Sequence, residues 1–181
     1  MPVDPTLGFV LVAAYGLLLV PAAWHKWRDI AVFEAVLSAY RLLPRELLPV
    51  VARVIPCVEA ATALALWFTS TRPLAAIVVA VLMLVYAGAI AVNLQRGRTD
   101  LDCGCTGPLE RRPVAAWMVY RNALLAGLVA PLAGVWDVRP LQGLDFFSIV
   151  VALSTIVLLW LAIDRLLGQV APRGAALKAS R

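Results

Sequence analysis

Five long runs of apolar residues constrain the fold of this chain more than any other feature. A membrane-spanning helix needs about 20 consecutive, largely apolar residues, because each residue advances the helix by only about 1.5 Å. Runs of that length lie near residues 6–25, 47–69, 73–94, 113–136 and 145–164. The mean hydropathy of +0.87 and the apolar share of 62% are far above those of a soluble domain. The sequence therefore predicts an all-α fold, a polytopic bundle of about five transmembrane helices.

Two segments outside these runs complete the predicted organisation. The first, from Ile30 to Leu43, is closed by Pro44, and its apolar residues recur at helical spacing: Phe33, Val36, Leu37 and Tyr40. This pattern predicts an amphipathic helix in the membrane interface, although a connector packed on the bundle would have the same location. The second is the polar, basic segment 168–181, which is predicted to be a disordered tail after a single transmembrane domain over residues 1–167.

The basic residues predict how the chain is oriented in the membrane. Of the 16 Lys and Arg residues, 13 lie near the loops that follow the first and third runs or in the tail. The other three are Arg72 and Arg139 on the opposite side and Arg121 within a run. Because cytoplasmic loops are enriched in Lys and Arg, the N-terminus is predicted to lie outside and the tail in the cytoplasm. The net charge of +5 therefore reflects insertion in a cytoplasmic (inner) membrane and not nucleic-acid binding.

The segment from Leu101 to Pro108 contains two of the three cysteines. Cys103 and Cys105 flank Gly104, which lets the backbone bend enough for the two sulfurs to meet. In an extended chain the Cα atoms of residues i and i+2 lie near the upper limit of about 7 Å for a disulfide, so this bond would be strained and prone to exchange. The pair is predicted to be a thiol–disulfide redox site. Zinc binding is disfavoured, because paired zinc ligands usually have two to four residues between them.

Ionisable and amide side chains inside the apolar runs are further candidates, because burying such groups in a bilayer is costly. Glu59 and Arg121 are predicted to form a buried ion pair, which either holds the second and fourth spans together or tunes a nearby thiol or substrate. Toward the same membrane face lie His25, Asn93 and Asn122.

Cys57 and His25 each have two interpretations. Cys57, which follows Pro56 in the second run, is either an inert buried thiol or a relay for electrons from Cys103 and Cys105. His25 is either an interfacial hydrogen-bonding group or a proton donor and acceptor for thiol exchange.

The order of these residues resembles that of the MauE family of methylamine-utilisation membrane proteins, which is related to the DoxX/DoxD-like proteins. The resemblance covers roughly residues 6–165, and its most specific element is Asp102-Cys103-Gly104-Cys105. The other elements are Ala23-Trp24-His25-Lys26, Tyr40-Arg41-Leu42-Leu43-Pro44, Pro56 with Glu59, Asn93-Leu94, Arg96-Gly97-Arg98 and Arg121-Asn122. In the family the Cys-Gly-Cys element tends to be followed by Phe-Gly, whereas this chain has Thr106-Gly107.

The resemblance implies a role in maturing an exported, disulfide-rich client, the small subunit of methylamine dehydrogenase, together with a thioredoxin-like partner similar to MauD. Three hypotheses follow. The protein is a thiol–disulfide exchanger at Cys103 and Cys105; a quinone-coupled oxidoreductase with a lipid-facing cleft near Arg121; or a membrane scaffold without enzymatic activity. The cleft of the second hypothesis is expected to be lined by Trp24, Tyr86 and Trp117. An exported client would favour cysteines outside, whereas the charge distribution predicts that they are cytoplasmic.

Overall fold

The computed structural model describes the chain over residues 3–99, 101, 114–137 and 139–179, with side chains to residue 166 except that of 164. These residues form six α-helices: α1 (Pro5–Arg28), α2 (Ile30–Tyr40), α3 (Leu48–Ala65), α4 (Arg72–Gln95), α5 (Ala116–Leu128) and α6 (Gly143–Ala179). Two 3₁₀ turns, Arg45–Leu47 and Ala130–Ala133, extend α3 and α5. The predicted all-α fold is confirmed.

Five segments are long and apolar enough to cross a membrane, and they correspond to the five predicted runs. They are Pro5–Arg28, Arg45–Ala65, Arg72–Gln95, Ala116–Ala133 and Gly143–Ile163. The second span ends about four residues earlier than predicted because the chain turns after Ala65. The backbone of α6 remains helical to Ala179, beyond the predicted end of the span near residue 164. A separate disordered tail over 168–181 stays a prediction, since no side-chain contact is described there.

Local signals in the sequence explain where several helices begin and end. Asp4 caps α1, because its carboxylate accepts a hydrogen bond of 2.8 Å from the backbone N–H of Thr6. Pro73 lies in the first turn of α4, where its missing N–H costs nothing. Gly97, with φ of +71°, adopts the left-handed conformation just after α4. The predicted helix start at Pro113 lies outside the described residues, and α5 begins at Ala116.

Arg139 joins the start of α1 to the start of α6, and the end of α4 packs beside the start of α5, so the bundle has two distinct ends. We call the end where α1 and α4 finish and α3 and α5 begin the basic end, because most of the basic side chains that the structure describes lie there. The core consists of apolar side chains from α1, α3, α4 and the turn after α5, including Val12, Leu19, Leu66, Val79 and Leu132. α1 packs on α3, α4 packs on α5, and α6 lies against α1.

α2 is the predicted short helix at the basic end, but it ends at Tyr40 and not at Leu43. Arg41 adopts a left-handed conformation with φ of +51°, which terminates the helix. Phe33 and Tyr40 are buried, and the other apolar side chains of α2 are more accessible. α2 therefore packs one face on the bundle, chiefly on α3.

Candidate functional site

A buried ion pair joins α1 to α3 inside the bundle. The ammonium of Lys26 donates a hydrogen bond to Oε1 of Glu59, and the two side chains are only 5% and 1% exposed. The hydroxyl of Tyr86 in α4 donates to the same oxygen at 2.6 Å. One carboxylate oxygen thus connects three helices. We call Lys26, Glu59 and Tyr86 the buried cluster.

The predicted ion pair between Glu59 and Arg121 is wrong. Glu59 is paired with Lys26, which the sequence had placed only at the end of the first span. Lys26 lies two residues before the end of α1, but its long stem turns inward and its ammonium lies over the rings of Phe33 and Tyr86, 5.4 and 4.9 Å from their centroids.

A signal in the sequence could have revealed the role of Lys26. The buried positions of α1 recur every three or four residues: Val12, Tyr15, Leu19, Ala23 and Lys26. Lys26 therefore continues the inward-facing apolar stripe of the helix. A lysine in that stripe requires a buried partner, and Glu59 is such a partner.

Arg121 lies across the same region of the bundle and is held mainly by aromatic rings. The carbon of its guanidinium is 5.1 Å from the ring centroid of Trp117 and 5.2 Å from that of Trp160 in α6. One terminal nitrogen is 3.4 Å from Oδ1 of Asn122, at the limit for a hydrogen bond. Among the described residues, the contacts of the guanidinium are thus mainly cation–π contacts, which are strongest where water is excluded.

A polar cavity of about 280 Å³ lies between these groups. Its polar lining comes from α1, α3, α4 and α5 and consists of His25, Lys26, Glu59, Tyr86, Arg121 and Asn122. Three buried atoms of these residues have no hydrogen-bond partner in the described part of the chain: Oε2 of Glu59, Nε of Arg121 and Nδ2 of Asn122. Two donors and one acceptor on residues that line the cavity are thus unused.

An apolar cavity of about 380 Å³ adjoins the polar cavity. It lies between α1, α5 and α6. Its lining side chains are aliphatic except for those of Tyr15 and Trp160, and the hydroxyl of Tyr15 is their only oxygen. The two cavities share four lining residues: Leu17, Leu18, Leu125 and Trp160. Together they form a crevice that is polar toward the basic end and apolar along α6. Tyr86 lines it as the sequence suggested, but Trp24 and Trp117 do not.

Two of the predicted site residues lie away from the crevice. Cys57 has a free thiol and is exposed on the outer face of α3, whereas Glu59, two residues later, faces the interior. Asn93 is fully buried, but its amide donates to the carbonyl of Ala89 at 3.0 Å and accepts from Arg98 at 3.1 Å. Arg98 also donates to the carbonyl of Ala39 at 2.7 Å, so Asn93 helps to fix α2 to the end of α4.

Cys103 and Cys105 lie outside the described residues. The residues on either side of their segment are described, and they show where it leaves and rejoins the bundle. The N–H of Val114 donates to the carbonyl of Leu101 at 3.0 Å, and both side chains pack at the basic end with Tyr40, Ile90 and Met118.

Comparison with known proteins assigns the chain to a family. The model of the family described as methylamine utilisation protein MauE matches residues 4–137. The chain belongs to the MauE family. A MauE from Paracoccus denitrificans is 40% identical over 131 residues, which cover 72% of this chain and 70% of that protein. A MauE from Methylophilus methylotrophus is 36% identical over 171 residues, which cover 91% and 88%. No solved structure matches the chain.

The family assignment confirms the resemblance seen in the sequence and fits a multi-pass membrane protein. The matched MauE region contains the buried cluster, Arg121 and Asn122, but it ends before α6. Trp160, which completes the crevice, therefore lies on a helix outside the matched region.

Proposed function

We propose that this MauE-family protein exchanges disulfides with partner proteins in methylamine utilisation, and that Cys103 and Cys105 are the exchanging pair. The observation that carries the proposal is the placement of the two cysteines around Gly104, in the connection between α4 and α5. Two cysteines separated by one residue can form only a strained disulfide, and strained, accessible disulfides exchange readily. The relatives' name, methylamine utilization protein, supports the process.

The exchange needs only the two cysteines and a partner. One thiolate attacks a sulfur of the partner's disulfide, forms a mixed disulfide and releases the partner's other sulfur as a thiolate. The second cysteine then attacks the mixed disulfide and releases the partner as a dithiol. Two electrons pass to the partner and Cys103–Cys105 becomes a disulfide. The reverse sequence oxidises a client's dithiol and leaves Cys103 and Cys105 reduced.

Two partners follow from the resemblance. One is a thioredoxin-like protein similar to MauD, and the other is an exported client that acquires disulfides, such as the small subunit of methylamine dehydrogenase. The basic side chains that flank the cysteine segment, Arg96 and Arg98 before it and Arg111 and Arg112 after it in the sequence, favour the reactive thiolate over the thiol.

The experiment is a cysteine replacement in cells that grow on methylamine and carry this protein as their only copy of the family. In the double variant Cys103→Ser with Cys105→Ser, we expect the client to accumulate in reduced form, measured by thiol alkylation and mobility shift. Cys57→Ser is the matched control, and we expect it to behave as wild type because its thiol lies on the outer face of α3. Normal client oxidation in the double variant would refute the proposal.

The orientation of the pair is tested with a maleimide that cannot cross the membrane. The charge distribution predicts that Cys103 and Cys105 face the cytoplasm. In intact, reduced cells that carry Cys57→Ser, we therefore expect no labelling, and we expect labelling once the membrane is opened. Labelling in intact cells would show that the pair faces outward and can contact an exported client directly. With the pair facing the cytoplasm, electrons must pass across the membrane to connect it with that client.

A further inference from the structure

We propose that the crevice formed by the polar and apolar cavities binds an isoprenoid quinone or its quinol. The head of the ligand would occupy the polar cavity and its tail the apolar cavity. This binding site goes beyond disulfide exchange and does not depend on the cysteines, so each can be refuted without the other.

The unused polar atoms indicate that the polar cavity holds a polar group. Glu59 and Asn122 are 1% and 3% exposed, yet Oε2 of Glu59 and Nδ2 of Asn122 have no partner. Nε of Arg121 is buried and also has no partner. Buried polar atoms in native proteins nearly always find a hydrogen bond, so three such atoms on residues that line one cavity point to a bound group beside which these side chains adjust.

The mixture of donors and an acceptor narrows the chemical class of that group. Nε of Arg121 and Nδ2 of Asn122 are suited to a carbonyl oxygen, whereas Oε2 of Glu59 is suited to a hydroxyl. A quinone offers carbonyl oxygens and a quinol offers hydroxyls at the same positions. An ionised carboxylate would suit the guanidinium of Arg121, but it has no hydrogen to donate to Oε2 of Glu59, which a quinol hydroxyl can supply.

The adjoining apolar cavity indicates a single long tail. It is lined along α6 by Leu153, Ile156 and Val157 and joins the polar cavity beside Trp160. No residue in the spanning part of α6 is fully buried by other helices, so a lipid-soluble molecule can enter from the bilayer beside it. A ligand with a planar polar head and one hydrocarbon tail fits this arrangement. A two-chain phospholipid does not.

The aromatic side chains where the two cavities meet favour a ligand whose head is a flat ring. Trp160 lines both cavities and lies against the guanidinium of Arg121, and Tyr86 lines the polar cavity while holding Glu59. Indole and phenol rings stack favourably on another π system. The head thus has aromatic contacts in addition to hydrogen bonds.

The test is binding of two benzoquinones to the purified full-length protein in detergent, measured by equilibrium dialysis. The quinones differ only in the tail, which has one isoprene unit in the first and several in the second. Asn122→Leu replaces the amide by a side chain of similar volume, and we expect it to weaken both quinones about tenfold, the loss of one buried hydrogen bond. Tyr120→Phe, on the exposed face of α5, is the matched control and should bind as wild type.

The tail is tested separately on α6. Leu153→Trp fills the apolar cavity, so we expect the long-tailed quinone to lose its advantage over the short-tailed one. Leu158→Trp makes the same change at an exposed position and should leave that advantage intact. Cys103→Ser with Cys105→Ser should bind both quinones as wild type does, which separates this proposal from disulfide exchange.

Three outcomes would overturn the inference. The first is wild-type affinity in Asn122→Leu. The second is an equal loss, in Leu153→Trp and Leu158→Trp, of the advantage of the long-tailed quinone. The third is displacement of the quinone by oleate at a lower concentration than by a second quinone. If Asn122→Leu does not fold, Arg121→Lys takes its place, because it keeps the positive charge but removes the Nε donor. Wild-type affinity in folded Arg121→Lys would be equally decisive against the proposal.

Discussion

Two clusters of charged side chains tie α1 to other helices, and they lie at opposite ends of the bundle. At the basic end, the buried cluster joins Lys26 to Glu59 with side chains 5% and 1% exposed. At the other end, Arg139 bridges Asp4 and Asp145, and the side chains of Arg139 and Asp4 are 34% and 52% exposed. We call this second group the outer cluster. Both use ion pairs, but only the outer one has side chains that are substantially exposed.

The difference in exposure determines what each cluster does. When one member of a buried pair is removed, the other charge is left without water or a partner, and this costs about 3–5 kcal/mol. An exposed pair loses little, because water replaces the missing partner. The outer cluster therefore contributes little to stability, and its main role is to position the helices. Arg139 contacts Asp145 at 2.7 Å and Asp4 at 3.1 Å, and so it fastens the start of α6 to the start of α1.

The outer cluster also perturbs the ionisation of its members. The pKa of Asp4 is lowered, chiefly because its carboxylate accepts a hydrogen bond from the backbone N–H of Thr6 and also because it faces Arg139. The pKa of Arg139 is raised, first by its hydrogen bonds to Asp145 and then by those to Asp4. Both shifts favour the charged forms, as expected where water and partners together stabilise the charges.

The largest effect is expected from Lys26→Met. This change keeps the apolar stem but leaves Glu59 as an unpaired buried charge, so we expect a loss of about 3–5 kcal/mol in the free energy of unfolding. The measurement is unfolding of the purified protein in mixed detergent micelles. Adding Glu59→Gln to Lys26→Met should recover part of the loss, because no buried charge then remains. If the double variant loses as much stability as Lys26→Met and Glu59→Gln lose together when made singly, Lys26 and Glu59 do not stabilise each other.

Tyr86→Phe should have an intermediate effect. It removes the hydrogen bond of 2.6 Å to Oε1 of Glu59 while keeping the ring beside Lys26, and we expect a loss of about 1.5–3 kcal/mol, as for other hydrogen bonds to a charged group. The same unfolding experiment with Tyr120→Phe gives the control, because that hydroxyl is on an exposed side chain. Equal losses in the two variants would show that the hydroxyl of Tyr86 does not support the pair.

Arg139→Gln should destabilise the protein less than either change in the buried cluster. Raising the ionic strength from 0.01 to 1 M shortens the Debye length from about 30 to 3 Å. We therefore expect the gap in unfolding temperature between Arg139→Gln and wild type to close in high salt, while the gap for Lys26→Met stays open. A gap for Arg139→Gln that does not change with salt would place the outer cluster in the same class as the buried one.

The smallest effect is expected from Asp4→Asn, and it should depend on pH. Because the pKa of Asp4 is lower in the folded protein than its ordinary value of 3.8, its charge stabilises the fold above that value. This contribution is lost as the pH falls through the lowered folded pKa. Asparagine also caps helices well, so the variant isolates the charge. Wild type and Asp4→Asn should differ in unfolding temperature near pH 7 and converge in strong acid; a gap that widens in acid would contradict the shift.

The two clusters also show what the sequence could and could not predict. The five spans were predictable because burial in lipid requires long apolar runs, and the burial of Glu59 followed from its place inside one of them. The partner of Glu59 was missed because the end of α1 contains several basic residues, and only the helical stripe through Ala23 distinguishes Lys26 from Arg28. The contacts of Arg139 depend on how α6 docks, and the sequence holds no periodic signal for that.

The crevice was predictable only in part. His25, Glu59, Arg121 and Asn122 were expected near one membrane face, and they line one cavity. Asn93 was expected there as well, but it forms hydrogen bonds with Ala89 and Arg98 and helps to fix α2 to the end of α4. The role of Trp160 could not be derived, because it comes from the lateral packing of α6 against α1, which the apolar pattern of either helix leaves open.

The most direct test of disulfide exchange at Cys103 and Cys105 is to trap the mixed disulfide. Each cysteine is replaced singly by serine in cells growing on methylamine, and membrane proteins are separated without reductant after acid quenching. One of the two variants should accumulate an adduct that dithiothreitol dissolves, because its remaining thiolate attacks a partner and no second cysteine resolves the bond. The double variant should show no adduct. Absence of an adduct from both single variants, at wild-type protein levels, would contradict the account.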